Sequence, residues 1–263
     1  MKYNPYSISK IGTYIQCPYK FKLQYIDKIK VPFTYNLALY KGSFIHEVLE
    51  NNFNYNIDFK INDIFTETEK EKAVKIIKNF ESSELGNKYK KLIPLSNIEE
   101  KFGFIEPKKD NNYKIYISDF WDNNSWFRGA IDLYYVKDDI GIVVDWKSGK
   151  DHSEEDDFGI DQAMMYAIYI FSKYPTIKEV KAFFVFVEHN TEKRIIFSRS
   201  KLNSYLKHFY TKTKTIETDS IFKEEVSALC EYCDFHNHNH CTAFNDNKNK
   251  TNNFIESKIS LDF

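Results

Sequence analysis

Apolar residues recur at helical spacing in Ile8, Ile11, Tyr14 and Ile15, a run opened by Ser7 and Ser9 and broken at Cys17-Pro18. A second helical stretch, Lys20 to Ile26, follows it. After Gly42 the pattern strengthens: Phe44, Ile45, Val48, Leu49 and Phe53 share one face, with His46 and Glu50 one turn apart on a neighbouring face. Thr66 with Glu69 has the form of a capping box ahead of Ala73, Ile76, Ile77 and Phe80. Residues 51–95 therefore read as a helical insertion. The character then changes to short β-branched and aromatic runs, which predict strands over Ile98 to Ile105, Tyr113 to Phe120, Trp126 to Val136 and Ile140 to Lys147. Asn111-Asn112 and Asp138-Asp139 supply turns between them. Ile160 to Tyr174 returns to helix and is ended by Pro175, Val180 to Val187 and Arg194 to Ser198 read as strands, and Leu202 to Ile216 as a helix. That order predicts an α/β fold, a mixed β-sheet flanked by helices with an N-terminal helical region. No internal repeat is visible, and the Asn/Lys-rich residues 245–258 read as a flexible tail.

Composition narrows the classes. A chain of 263 residues with 42% apolar residues builds one substantial domain. The 23 Phe and 19 Tyr accompany abundant Asn, Lys and Ile, as an AT-rich coding sequence produces, so isolated aromatic pairs carry little weight. Net charge is −1, which weakens the case for a purely electrostatic binder and is neutral for a nuclease, whose metal-binding carboxylates offset a local basic groove. No run approaches the roughly 18 to 20 apolar residues needed to cross a bilayer. Met1 to Tyr6 lacks a basic-then-apolar signal, and the expectation is a cytoplasmic protein with no membrane partner. In such a reducing compartment the four cysteines are metal ligands or inert thiols rather than disulfides.

Candidate chemistry concentrates in Arg128-Gly129-Ala130-Ile131-Asp132 and in Ile142-Val143-Val144-Asp145-Trp146-Lys147-Ser148-Gly149-Lys150. Asp145 and Lys147 are two apart and share one face of a strand. Ionised groups ending a buried Ile-Val-Val run are costly unless a ligand or partner compensates them. Asp132, on the preceding strand, brings a second carboxylate. Two carboxylates beside a lysine suit Mg²⁺ or Mn²⁺ held through oxygen. Phosphodiester hydrolysis explains the set, the ion activating water and the lysine stabilising developing charge. Asp-x-Lys by itself, however, is more often a solvated ion pair at a strand end.

Seven segments in order change that balance: Ser7-x-Ser9; Cys17-Pro18-Tyr19-Lys20-Phe21; Gly42-x3-His46-x2-Leu49-Glu50; Glu99; Gly129-x-Ile131-Asp132; Asp145-Trp146-Lys147-Ser148-Gly149-Lys150; and Asp161-Gln162-x3-Tyr166-Ala167, with a late cysteine cluster behind them. In this the chain resembles the RecB-like branch of the PD-(D/E)XK nucleases, found in the RecBCD and AddAB helicase–nucleases and in a CRISPR-associated iron–sulfur nuclease. The resemblance implies a restriction-endonuclease-like core in a single nuclease domain over residues 1–244. It implies His46, Asp132 and Asp145 as metal ligands, with the backbone carbonyl of Trp146 as another, and Lys147 as the catalytic lysine. Gln162 and Tyr166 match a motif that orients the site, and Glu99 matches a helper acid, although adjacent Glu100 leaves that register open. Ser148 stands where threonine is more usual. The implied function is a metal-dependent DNA exonuclease acting on single strands or free ends in recombination, repair or replication. A CRISPR spacer-acquisition nuclease and a non-catalytic nucleic-acid-binding module are the alternatives, and the presence of His46, Asp132, Asp145 and Lys147 together favours catalysis.

Cys230-x2-Cys233-x7-Cys241 is the late cluster, and Cys17 is the fourth cysteine. Taken alone it fits zinc, with His236, His238 or His240 adding nitrogen, or a [4Fe–4S] cluster if Cys17 folds back. The resemblance implies the iron–sulfur cluster, joining segments 17 and 230–241 as a structural staple. The spacing of seven before Cys241 exceeds the family's usual five. Beyond the polar linker, Ile259, Leu261 and Phe263 have the spacing of a short peptide that docks on a sliding clamp, against the plainer reading of a fraying tail.

Overall fold

The computed structural model describes residue 3 and residues 5–32, 36–108, 113–149 and 157–244. The tail residues Ile259, Leu261 and Phe263, the turn at Asn111-Asn112 and Lys150 lie outside them. By contacts the chain divides into two compact units, one of Met1–Tyr3, Ser9–Thr34 and Lys214–Phe263, the other of Asn4–Ile8 and Tyr35–Thr213.

The larger unit is built on a six-stranded sheet. Its strands are β1 (Asn97–Ile105), β2 (Tyr116–Ser118), β3 (Ser125–Lys137), β4 (Ile140–Lys147), β5 (Glu179–Phe186) and β6 (Thr191–Ser198). Their order is β2-β1-β3-β4-β5-β6, antiparallel throughout except for the parallel pair β4–β5. That parallel pair requires a crossover, supplied by α6 (Asp157–Lys173). The predicted α/β fold with a mixed sheet is thus the observed one. β4 lies at the centre because its apolar run can be buried on both faces. Helix α6 covers one face. The other is covered by α3 (Leu37–Glu50), α4 (Glu67–Ser82) and α5 (Glu84–Leu92), whose Phe44, Val48, Phe80 and Tyr89 share a core with Val144 and Trp146. Thr66 caps α4 through Glu69 N at 3.4 Å, as its spacing predicts.

Several boundaries differ from the sequence reading. Helix α3 starts at Leu37, five residues before Gly42, because the Asn36 side chain accepts a hydrogen bond from Leu39 N at 2.9 Å. Its first turn exposes Leu37 and Leu39, so it carries no amphipathic pattern. The strand predicted over 113–120 contracts to the three residues of β2, an edge strand paired on one side only.

A local irregularity matters for the site. In β1, Glu100 turns towards Lys173 of α6, whereas Ile98, two residues earlier, packs into the core formed with α3 and α4. Regular alternation would put both on one face. Between them Glu99 adopts a left-handed backbone with φ 49°, and the register places Asp132 of β3 opposite it, although Glu99 and Asp132 themselves are unpaired. Irregularities of this kind re-aim side chains beside functional sites.

The smaller unit contains residues 9–16 of α1 (Ile8–Gln16) and then α2 (Pro18–Phe21), continued by a π-helical turn over Lys22–Ile26 where a simple helix is expected. Its core is aromatic: Phe21 stacks on Phe222, with Tyr3 and Tyr14 edge-on to both rings. Tyr14 also donates its hydroxyl to Asp219 at 2.7 Å. Among the described residues no helix is long and apolar enough to cross a membrane.

Candidate active site

β4 ends in Asp145-Trp146-Lys147, and its alternation sends neighbouring side chains in opposite directions. Trp146 is buried against Tyr89 and Phe80. Asp145 and Lys147 instead face α6, where Gln162 and Tyr166 stand one helical turn apart. The Asp145 carboxylate is only 4% exposed, a position an anion tolerates only when fully partnered. Its Oδ2 lies 2.6 Å from Lys147 Nζ, and its Oδ1 accepts hydrogen bonds from Gln162 Nε2 and from the Tyr166 hydroxyl, both at 2.9 Å. Gln162 bridges the ion pair, because its Oε1 accepts from Lys147 Nζ at 2.9 Å while its amide nitrogen serves Asp145. Gln162 Nε2 also donates to the Tyr166 oxygen at 2.7 Å. Burial, then the charges of Asp145 and Asp132, hold the Tyr166 phenol well above its ordinary range, so it stays a neutral donor.

A second group meets this one at Asp132. His46 Nδ1 lies 3.5 Å from Asp132 Oδ2 and 3.6 Å from Glu50 Oε1. The donor atoms of His46, Glu50 and Asp132 all lie within 4.8 Å of one another. Asp132 Oδ2 additionally accepts the Trp146 backbone N–H at 2.8 Å, which ties the β3 carboxylate to the end of β4. Burial, reinforced by the charge of Asp145, pushes the Asp132 carboxyl up to about 7. Glu50 is also raised, by burial first and by Glu99. Burial lowers the His46 imidazole, but its bond to Glu50 and the charges of Asp132 and Asp145 outweigh that, and the net direction is up. Both carboxyls are thus raised by burial first and by neighbouring negative charge second. Two carboxylates and an imidazole with their donor atoms this close together form a donor set that fits a divalent cation.

The cleft in front of this set has a volume of about 820 Å³ and is walled by α3 and the ends of β1 and β3, with His46, Glu50, Glu99, Asp132 and Ser148 on its lining. Glu99 faces the cleft, whereas Glu100 is turned away into an ion pair with Lys173 at 2.5 Å. The structure brings together His46, Asp132, Asp145, Lys147, Gln162 and Tyr166, and sets Glu99 at the cleft's edge. Trp146 takes part through its amide. Asp161, beside Gln162, points elsewhere and joins His208 and Lys212. Glu50 was missing from the residues chosen by sequence. Its signal was present, four residues after His46 on the same helix, where an acid and an imidazole meet on one face.

In the smaller unit Cys17, Cys230, Cys233 and Cys241 are free thiols lining one cavity of about 40 Å³, with His236 also on its wall. Burial, and then the proximity of Cys17, Cys233 and Cys230, raise the Cys241 thiol above its ordinary value. Among the described residues no three of these sulfurs lie within 4.8 Å of one another. His236 Nδ1 is 3.0 Å from the Cys241 carbonyl, and His238 Nδ1 is 2.8 Å from the Asp234 carbonyl.

No curated protein matches the chain. Among solved structures it is similar to SSO0001, at 13% identity over 89% of this chain and 85% of that one with a TM-score of 0.41. It is also similar to a candidate exonuclease from Eubacterium rectale, at 14% identity over 86% of this chain and 91% of that one with a TM-score of 0.47. The sequence profile of the PD-(D/E)XK nuclease superfamily matches residues 5–238. That span takes in every strand of the sheet, with Asp132, Asp145 and Lys147, and the helices α3 and α6 that carry His46, Glu50, Gln162 and Tyr166, and the chain belongs to the PD-(D/E)XK nuclease superfamily.

Proposed function

We propose that the chain is a Mg²⁺- or Mn²⁺-dependent deoxyribonuclease of the RecB-like branch that degrades single-stranded DNA from a free end in recombination, repair or replication. The observation that carries this reading is the bridge made by Gln162 between Asp145 and Lys147, set beside the His46–Glu50–Asp132 donors. His46, Glu50, Asp132 and Asp145 would hold a divalent ion, with the Trp146 carbonyl as a further oxygen donor, and that ion would supply Lewis-acid stabilisation of charge on the phosphate. Lys147 places a second positive charge where the attacked phosphate gains negative charge. Gln162 fixes the lysine's direction, and the neutral Tyr166 hydroxyl donates to Asp145 and fixes the direction of that carboxylate. Glu99, opposite Asp132, acts as the helper acid at the mouth.

The test is cutting of end-labelled single-stranded DNA, with free or blocked ends, in Mg²⁺ or Mn²⁺, by the wild type and by Lys147→Ala and Asp145→Ala. Metal-dependent loss of label from free ends, abolished in both variants, is the expected result. Cutting that survives both substitutions removes the assignment.

The same proposal places a [4Fe–4S] cluster on Cys17, Cys230, Cys233 and Cys241. The four thiols line one cavity, which suits a shared group. Tetrahedral zinc at a Zn–S length of about 2.3 Å needs sulfurs about 3.8 Å apart. A cluster binds each cysteine to a different iron and so needs its sulfurs further apart than that. Anaerobic purification should give iron and labile sulfide, both lost in Cys17→Ala; zinc in place of iron contradicts the cluster.

A further inference from the structure

The outer face of β1 and β3 runs on from the cleft. Glu100 and Phe102 face α6, through Lys173 and Tyr169, so Lys101 and Gly103 face the other way. Cross-strand partners share a face, which adds Ala130 and Arg128 from β3 and Ser118 from β2. Arg128 lies four residues before Asp132, about 13 Å along the strand at ~3.3 Å per residue. Over this end of the face folds the loop between β2 and β3, and it carries Trp121.

Trp121 is 73% exposed, whereas Trp126 and Trp146 are fully buried. An exposed indole is normally mobile, but this one is held. Its backbone N–H donates to Asp119 Oδ1 at 2.7 Å, its ring packs edge-on against Phe120 with centroids 4.9 Å apart, and the Arg128 guanidinium lies 5.9 Å from its centroid and 5.5 Å from that of Phe120. Arg128 donates to the Asp122 carbonyl at 3.0 Å and meets no carboxylate among the described residues, and Lys101, exposed between Arg128 and the cleft, likewise has none. The loop's own acids are engaged by its backbone, Asp119 accepting from Trp121 N and Asp122 from Asn124 N. A rigid exposed indole backed by an unneutralised guanidinium, with a lysine leading to the metal-ligand carboxylates, has the layout of a stacking platform with phosphate contacts.

We propose that Trp121, with Arg128 and Lys101, binds single-stranded DNA some nucleotides away from the scissile phosphate, the base stacking on Trp121 and the backbone following the two cations towards Asp132. This rests on the nuclease reading for its direction, but binding is measured without cutting. The experiment is fluorescence anisotropy of a labelled oligothymidylate with the full chain in EDTA. Trp121→Ala should weaken binding roughly tenfold, as loss of one base stack does. Trp121→Phe should recover most of the affinity, and Lys101→Ala should lessen the salt dependence. Ile117→Ala, on the opposite face of β2, should bind as the wild type does. Unchanged affinity in Trp121→Ala, or an equal loss in Ile117→Ala, overturns the proposal. Those outcomes stand apart from the nuclease reading, which fails if the wild type does not cut DNA or if cutting survives both Lys147→Ala and Asp145→Ala.

Discussion

Replacing Asp132 by asparagine should make the metal-free protein more stable while destroying its affinity for a divalent cation. The carboxyl is raised from 3.8 to about 7, by burial first and by Asp145 second. Below pH 3.8 it is protonated in folded and unfolded chains alike and contributes nothing. Between about pH 4 and 7 the unfolded chain releases the proton and the folded one keeps it, so folding stability falls as pH rises, and above 7 the whole penalty stands. Three units at about 1.4 kcal/mol each set a ceiling of about 4 kcal/mol. His46, 3.5 Å away, titrates with this carboxyl and shares the proton, so a gain of about 2 kcal/mol is the working figure. Asparagine keeps an oxygen to accept the Trp146 N–H, so the strand tie survives. Urea denaturation followed by circular dichroism in EDTA should show the Asp132→Asn gain in full at pH 8 and shrinking towards pH 4. Added Mn²⁺ should then stabilise the wild type far more than the variant. A variant no more stable than the wild type at pH 8, or a gain independent of pH, would refute the idea that this carboxylate is held against its own electrostatics for a cation.

Glu50→Gln should lower Mn²⁺ affinity by one to two orders of magnitude in calorimetric titration, and wild-type affinity would remove Glu50 from the ligand set. Tyr166→Phe deletes a hydroxyl that donates to Asp145 and should cost about 10- to 100-fold in cutting rate, with the fold intact by circular dichroism. A wild-type rate would show that Gln162 alone suffices. Gly129→Ala should destabilise by about 1–3 kcal/mol in urea, because its Cβ would sit 2.5 Å from Phe102 Cζ and that ring is stacked on Tyr169 at 4.4 Å. A neutral result would mean that the stack can slide.

The sheet was readable because its central strand announces itself: Ile-Gly-Ile-Val-Val is too apolar and too short for anything but a buried strand, and its end in Asp-Trp-Lys marks where burial stops. Asp132, Asp145 and Lys147 could be picked out because chemistry-bearing residues interrupt apolar patterns there, whereas Gln162 came through the resemblance to the nuclease family. Glu50 could not be chosen on its own, since an acid on a helix surface is ordinary until the fold brings a second carboxylate to it. The choice between Glu99 and Glu100 was beyond sequence for a sharper reason. Strand alternation assumes regular backbone, and the left-handed Glu99 breaks that assumption at the residue in question. The early start of α3 was hidden in the same way, because its cap is a side-chain bond and its first turn has no buried face.

Trp146 belongs to two neighbours at once. Its amide holds the Asp132 carboxyl, its flanking residues are Asp145 and Lys147, and its indole is gripped by Phe80 of α4 and Tyr89 of α5. Those two helices contribute no group to the chemistry, yet they clamp the residue from which the chemistry hangs. Local opening of α4 and α5 would release the indole and let the strand tip drift well before the sheet itself melts. Heat inactivation of DNA cutting should therefore follow the stability of this helical pair, which supplies no ligand, so that substitutions at Phe80 or Tyr89 lower the temperature at which cutting is lost.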